Sequence, residues 1–134
     1  MKLRLSHTSL LFLMLVLIQA LHSTEEYYGK LWENLPPARY LTGLVSKNHE
    51  TGFLIINIGL LVLGMLLWAF VVHPNRKGAK YVLGFWIVIE IMNGIFHPAW
   101  AIWQGGYEPG VATAPFLLMV ALLLLNEQIK AKVY

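Results

Sequence analysis

The chain alternates long apolar runs with short polar breaks. Four runs approach the roughly 20 apolar residues that a membrane-crossing helix needs, at about 5–22, 51–72, 81–103 and 110–126. Lipid offers no partner to a backbone polar group, so each run is expected to be helical. The breaks fall at Pro36-Pro37, at His73-Pro74-Asn75, and at Gly105-Gly106 followed by Pro109-Gly110, sequences that stop or turn a helix. The predicted fold is all-α: a single domain over residues 1–134, built as a four-helix transmembrane bundle with a short interfacial segment between the first two spans. In that segment Glu25 to Leu35 is expected to continue the first helix, and Pro36-Pro37 to end it. Ala38 to Val45 then forms an interfacial helix with Tyr40, Leu41 and Leu44 on its apolar side. Tyr27, Tyr28 and Trp32 suit the headgroup level, and Trp100 and Trp103 also read as interface anchors.

The first run has a competing reading. Lys2 and Arg4 precede a short apolar stretch broken only by Gln19, the outline of a secretory signal. Cleavage after Ser23 would place Leu21 at the −3 position, a poor site, so residues 1–23 are expected to be retained.

Composition agrees with a membrane protein. The 134 residues are 57% hydrophobic and 13% charged, with a mean hydropathy of +0.60, whereas a soluble domain carries about 25% charged residues. The absence of cysteine excludes disulfide and thiol chemistry. The net charge of +3 does not imply a nucleic-acid partner, because most Lys and Arg residues flank apolar runs. Lys2, Arg4, Arg76, Lys77, Lys80, Lys130 and Lys132 share one side of a four-span bundle; Lys30, Arg39 and Lys47 share the other. The positive-inside rule therefore places both termini in the cytoplasm. No P-loop, GxGxxG or nucleophile-elbow serine is present.

Candidate chemistry lies at two places. His22-Ser23-Thr24-Glu25-Glu26 reads H-x-x-E-E at the end of the first run. Residues at i, i+3 and i+4 share a helical face, so one imidazole and two carboxylates would gather at the membrane boundary. Such a group can bind a divalent metal or exchange a proton; the plainer alternative is a polar flank where the helix leaves the bilayer. The third run carries Glu90, Asn93 and His97 on one face, with Trp86 and Gly94 near it. A carboxyl within a span is costly and marks a functional site by default, although it can also simply bridge helices. His97 lies 16 residues after Tyr81, about 24 Å along a helix, which brings it level with His22, Glu25 and Glu26. Asn57, Thr113 and Pro115 fall in the same non-cytoplasmic half. A polar pocket there, inside an otherwise apolar bundle, is the simplest arrangement. His49-Glu50 reads as a solvated boundary pair, and His7 and His73 are assigned no role.

Four stretches resemble one family. Leu21-His22-Ser23-Thr24-Glu25-Glu26-Tyr27 matches the opening motif of the HXXEE domain family of small bacterial membrane proteins. Asn93-Gly94-Ile95-Phe96-His97 is similar to its N-x-x-x-H on the third span. Tyr107 to Pro115 is similar to its Y-x-P-G-x-x-T element before the last span, and Phe53 to Asn57 resembles its second-span opening. The resemblance implies four membrane helices, a bacterial inner-membrane location and retention of His22. It carries no established reaction, and Glu90 has no matching family position.

Three functions are then in view. The first is a metal-dependent enzyme acting on a lipid-like substrate from the non-cytoplasmic leaflet. His22, Glu26 and His97 would be the ligands of zinc, iron or manganese, Glu25 and Glu90 further ligands or acid–base groups, and Asn93 a group that polarises a carbonyl or orients a ligand. The second is a metal-free acid–base isomerase or cyclase of an isoprenoid-like lipid, with Glu90 as the acid and an adjacent His or Glu as the base. There Trp86 would steady a developing cation. The third is a non-enzymatic ligand-binding, ion-binding or accessory protein. A lipid or small hydrophobic molecule is the expected partner in the first two, and the bundle is compatible with a homo-oligomer.

Overall fold

The computed structural model describes residues 6–133. Lys2, Arg4 and Leu5 lie outside the described residues, as does the side chain of Lys132, so the charge count rests on them only at the level of sequence. The chain is all-helical: α1 His7–Tyr28, α2 Leu31–Asn34, α3 Pro36–Val45, α4 His49–Leu67, α5 Ala79–Gln104 and α6 Ala114–Val133, with a π-helical turn Trp68–Val72 ending the second span. Four helices are long and apolar enough to cross a membrane, as expected of an integral membrane protein.

Local chemistry sets the helix ends. The Ser6 hydroxyl accepts from the Ser9 amide at 3.1 Å, and the Asn48 side chain accepts from the Thr51 amide at 3.0 Å. Both cap donors that the helix itself leaves unpaired. α1 does not run on to Leu35. It stops at Tyr28, because Gly29 packs against Pro109 and Lys30 takes a left-handed conformation with φ 50°. A methyl group on Gly29 would sit 2.6 Å from the Pro109 side chain. The last span begins at Ala114 rather than at 110, since Gly110 has φ +93°; Pro115 then sits in the first turn, where its missing N–H costs nothing.

Leu11, Phe12, Leu15 and Val16 of α1 pack on Leu83, Trp86 and Ile87 of α5 and on Leu117, Val120, Ala121 and Leu124 of α6. The α6 stripe repeats at i, i+3, i+4 and i+7, so one face of that helix serves both neighbours. Helices in lipid associate through close packing rather than through hydrophobic expulsion from water. Gly94 provides that closeness between α5 and α6: a methyl group there would lie 2.6 Å from Leu118 Cβ. α4 is the peripheral span, with 11% of its apolar window buried against 39% for α1.

The interfacial helix is present and begins at Pro36, with Tyr40, Leu41 and Leu44 exposed. Trp32 and Trp100 are not interface anchors. They are buried with Leu31 and Phe53 in a second small core, while Trp103 alone projects. That core caps the end of the bundle at which the polar site lies.

Candidate metal centre

On α1 the buried stripe continues from Leu15 through Gln19 and His22 to Glu26; on α5 it continues from Trp86 through Glu90 and Gly94 to His97. Both stripes follow helical periodicity, and both turn polar toward the same end of the bundle. His22 is 0% exposed, His97 2% and Glu26 7%. His22 Nε2 lies 3.3 Å from Glu26 Oε1, and His97 Nε2 lies 3.2 Å from the same oxygen. One potential ligand atom from each residue falls within 4.8 Å of the others.

The outer nitrogens decide what the inner ones present. Glu25 accepts from the amides of Ala112 and Thr113 at 3.0 and 2.9 Å, and from the Tyr107 hydroxyl at 2.8 Å. Its Oε2 also receives the Thr113 hydroxyl at 2.5 Å. With its single hydrogen committed to that carboxylate, Thr113 Oγ1 can only accept from His22 Nδ1, 2.8 Å away. His97 Nδ1 lies 2.7 Å from the Pro109 carbonyl oxygen, which also only accepts. In its neutral form each imidazole would therefore carry its hydrogen on Nδ1 and turn an Nε2 lone pair inward. His22 Nε2 is buried with no hydrogen-bond partner. An orphaned buried acceptor beside a carboxylate is costly, and a cation between the three atoms would remove that cost.

The spacing suits one. Metal–ligand bonds of about 2.0–2.1 Å in a tetrahedron separate neighbouring ligand atoms by about 3.3 Å, close to the two contacts with Glu26. Histidines that bind metal commonly donate their other N–H to a carboxylate or a carbonyl; here His22 reaches Glu25 through Thr113, and His97 reaches Pro109. Gly110 closes the site. A methyl group on it would lie 2.6 Å from His97 Nδ1 and 2.7 Å from His22 Cε1, and its φ of +93° disfavours any side chain.

A second polar cluster adjoins the first. Glu90 is 1% exposed, and Asn93 donates to its Oε2 at 3.2 Å. With its nitrogen toward Glu90, the Gln19 amide donates to Oε2 at 2.8 Å and to Oε1 at 3.0 Å, and its oxygen lies 3.2 Å from Ser23 Oγ. The Ser23 hydroxyl donates to Asn57 Oδ1 at 2.7 Å, linking the cluster to α4. The Trp86 indole N–H, one turn before Glu90, is buried without a partner.

Of the six site residues expected from sequence, His22, Glu26 and His97 converge, and Glu90 and Asn93 form the adjoining cluster. Glu25 is elsewhere: its carboxylate is occupied by four donors on the outer side of His22, where it orients that imidazole. The three motif residues thus do not all point one way. Asn57 joins Ser23 rather than the histidines. His49 bonds Thr42 at 2.9 Å, and Glu50 accepts from Tyr27 at 2.6 Å, so this boundary pair ties α3 and α1 to α4. Sequence reasoning noted Gln19 as the break in the first apolar stretch but gave it no role, although it lies one turn before His22. It read Gly110 as a breaker and as part of the Y-x-P-G-x-x-T element, without a packing role against the histidines.

A helical bundle with four membrane-length spans and a buried two-histidine, one-carboxylate cluster defines the class of protein. The chain belongs to the family described as protein of unknown function with HXXEE motif, matched over residues 13–124. No curated protein and no solved structure matches the chain.

Proposed function

We propose that His22, Glu26 and His97 hold one divalent cation, and that the protein is a membrane-embedded metal-dependent enzyme for a lipid-like substrate. The observation that carries the reading is that each Nδ1 meets an oxygen on the outer side, Thr113 Oγ1 or the Pro109 carbonyl, while both Nε2 atoms and a Glu26 oxygen face one another in a buried place. Two imidazoles and one carboxylate suit zinc, iron or manganese and leave coordination positions for water or substrate. Such a cation makes a nucleophile of its bound water near neutral pH and polarises a carbonyl. In this reading Glu90 would move a proton, and Asn93, which donates to it at 3.2 Å, would orient a substrate oxygen.

A lipid-like substrate is supported by a groove of about 230 Å³ between α1 and α4. Ser23, Thr24, Asn57 and two tyrosines bring polar atoms to it, Phe53, Leu54 and Leu61 form part of its apolar wall, and no charged side chain lines it. A neutral head on an apolar chain matches that lining. Entry from the non-cytoplasmic leaflet follows from the charge balance of the loops.

A second reading rests on Glu90. A buried carboxyl gripped by Gln19 and Asn93, with the Trp86 ring one turn away, also suits metal-free acid–base isomerisation or cyclisation.

Elemental analysis separates the two. Untagged wild type, His22→Ala and Glu26→Gln are to be purified in one detergent and dialysed against zinc, iron and manganese in turn. About one equivalent in wild type and none in either variant is expected. A metal-free wild type after all three would overturn the metal reading and leave the Glu90 chemistry.

A further inference from the structure

The opposite end of the bundle carries a second built feature. The π-helical turn Trp68–Val72 replaces the regular last turn of the second span, with His73 N–H bonded back to the Trp68 carbonyl at 2.8 Å and Arg76 N–H to the Val71 carbonyl at 3.0 Å. Such turns are rare and cluster at functional sites. This one lets the Trp68 indole donate to Ser9 Oγ at 3.0 Å, holds His73 Nδ1 3.3 Å from the same hydroxyl, and stacks the His73 ring on Trp68 at 5.5 Å. His73 is thereby fixed against α1 rather than left as a boundary residue.

Beside it lies a cavity of about 510 Å³, lined among others by His73, Arg76, Lys77 and Lys80, and by Ser6 and Thr8 at the start of α1. Arg76, Lys77 and Lys80 form no ion pair among the described residues; Lys80 adds only a cation–π contact with Tyr81 at 4.9 Å. Glu127, adjacent in sequence to the lining residue Gln128, is turned to His7 at 3.3 Å and Lys130 at 3.7 Å. No side chain caps the amino end of α5 at Gly78, but its Ala79 and Tyr81 amides already donate to the Arg76 and Gly78 carbonyls at 2.8 and 3.1 Å, so this helix start adds its positive end rather than a set of free donors. Three cations and two hydroxyls around one cavity, beside that positive end and with no acid lining it, form a receptor for a multiply charged oxyanion. A random flank of basic residues would satisfy the positive-inside rule without enclosing a space.

We propose that this cavity binds a phosphate group, carried by an anionic phospholipid headgroup or by a soluble phosphorylated compound. The inference is independent of the metal reading, because no residue is shared between the two sites.

The test uses the full chain in neutral detergent and counts bound lipid by native mass spectrometry. Wild type is to be compared with Arg76→Gln/Lys77→Gln and with Lys30→Gln/Lys47→Gln, which removes the same charge from the other end. Phosphatidylglycerol is offered against phosphatidylcholine, with glycerol phosphate as soluble competitor, and tryptophan fluorescence checks that each variant is folded. One phosphatidylglycerol per wild-type chain is expected, with affinity lower by about tenfold or more in the first variant and unchanged in the second. Displacement by glycerol phosphate identifies the phosphate group alone as the ligand; retention against it identifies the whole lipid headgroup. Equal binding of phosphatidylcholine, equal loss in the control variant, unchanged affinity in Arg76→Gln/Lys77→Gln, or no anion bound to wild type would each overturn the proposal.

Discussion

Thr113→Val tests the metal centre through a residue that would not touch the cation. Valine keeps the shape and removes one hydroxyl. The relay from Glu25 Oε2 through Thr113 Oγ1 to His22 Nδ1, at 2.5 and 2.8 Å, is cut. Glu25 keeps its bonds to the Ala112 and Thr113 amides and to Tyr107, so the loop stays anchored. His22 Nδ1–H loses its acceptor inside a fully buried site, which costs about 1–3 kcal/mol. The imidazole escapes part of that cost by rotating or by moving its hydrogen to Nε2, and either change removes the lone pair offered to the metal. Loss of such supporting partners typically weakens metal binding 10–100-fold, or about 1.4–2.7 kcal/mol at 1.36 kcal/mol per tenfold. The assay is competition for zinc against a chromophoric chelator, with protein in detergent. Thr113→Ser restores the hydroxyl and should recover most of the affinity. An affinity within twofold of wild type in Thr113→Val, or a serine variant as weak as the valine one, would refute the relay.

Two further outcomes follow from the same loop. Gly110→Ala adds a methyl group within 2.7 Å of both imidazoles at a φ of +93°; the left-handed backbone alone costs about 1–2 kcal/mol, so a lower unfolding temperature in detergent and loss of bound metal are expected, and metal retained at wild-type stability would contradict the packing. The Tyr107 phenol is pushed up to about 12 by its burial and by its hydrogen bond to the Glu25 carboxylate. Its stabilising contact is therefore complete below the ordinary phenol range near 10 and is lost as pH rises through about 12; a phenolate absorbance step near that pH, missing in Tyr107→Phe, checks it.

The sequence announces the spans because lipid allows few alternatives: an apolar run of that length is a helix or it is not in the membrane. It also announces His22, Glu26 and His97, since helical periodicity places buried polar residues on the stripe that faces the core. What periodicity cannot supply is the relative rotation and height of two helices far apart in sequence. That Gln19 meets Glu90, or that Ser23 meets Asn57, depends on how closely the helices approach, as where Gly64 of α4 lies against Val16 of α1 and Trp86 of α5. The divergence of Glu25 from Glu26 was hidden for a related reason. Adjacent residues on a helix are about 100° apart, and a non-helical loop 87 residues later supplies the amides that draw Glu25 aside. The end of α1 at Gly29 has the same source, because the glycine is needed where Pro109 of that loop packs on it.

The loop from Gly105 to Thr113 contributes the Pro109 carbonyl, the bare Gly110 backbone and the Thr113 hydroxyl, so it forms the outer wall of the histidine pair. Under the proposed metal reading, a cation held by His22, Glu26 and His97 would sit behind this loop, and its release would then be coupled to local opening of the hydrogen bonds to Glu25 as well as to bond strength at the ligands.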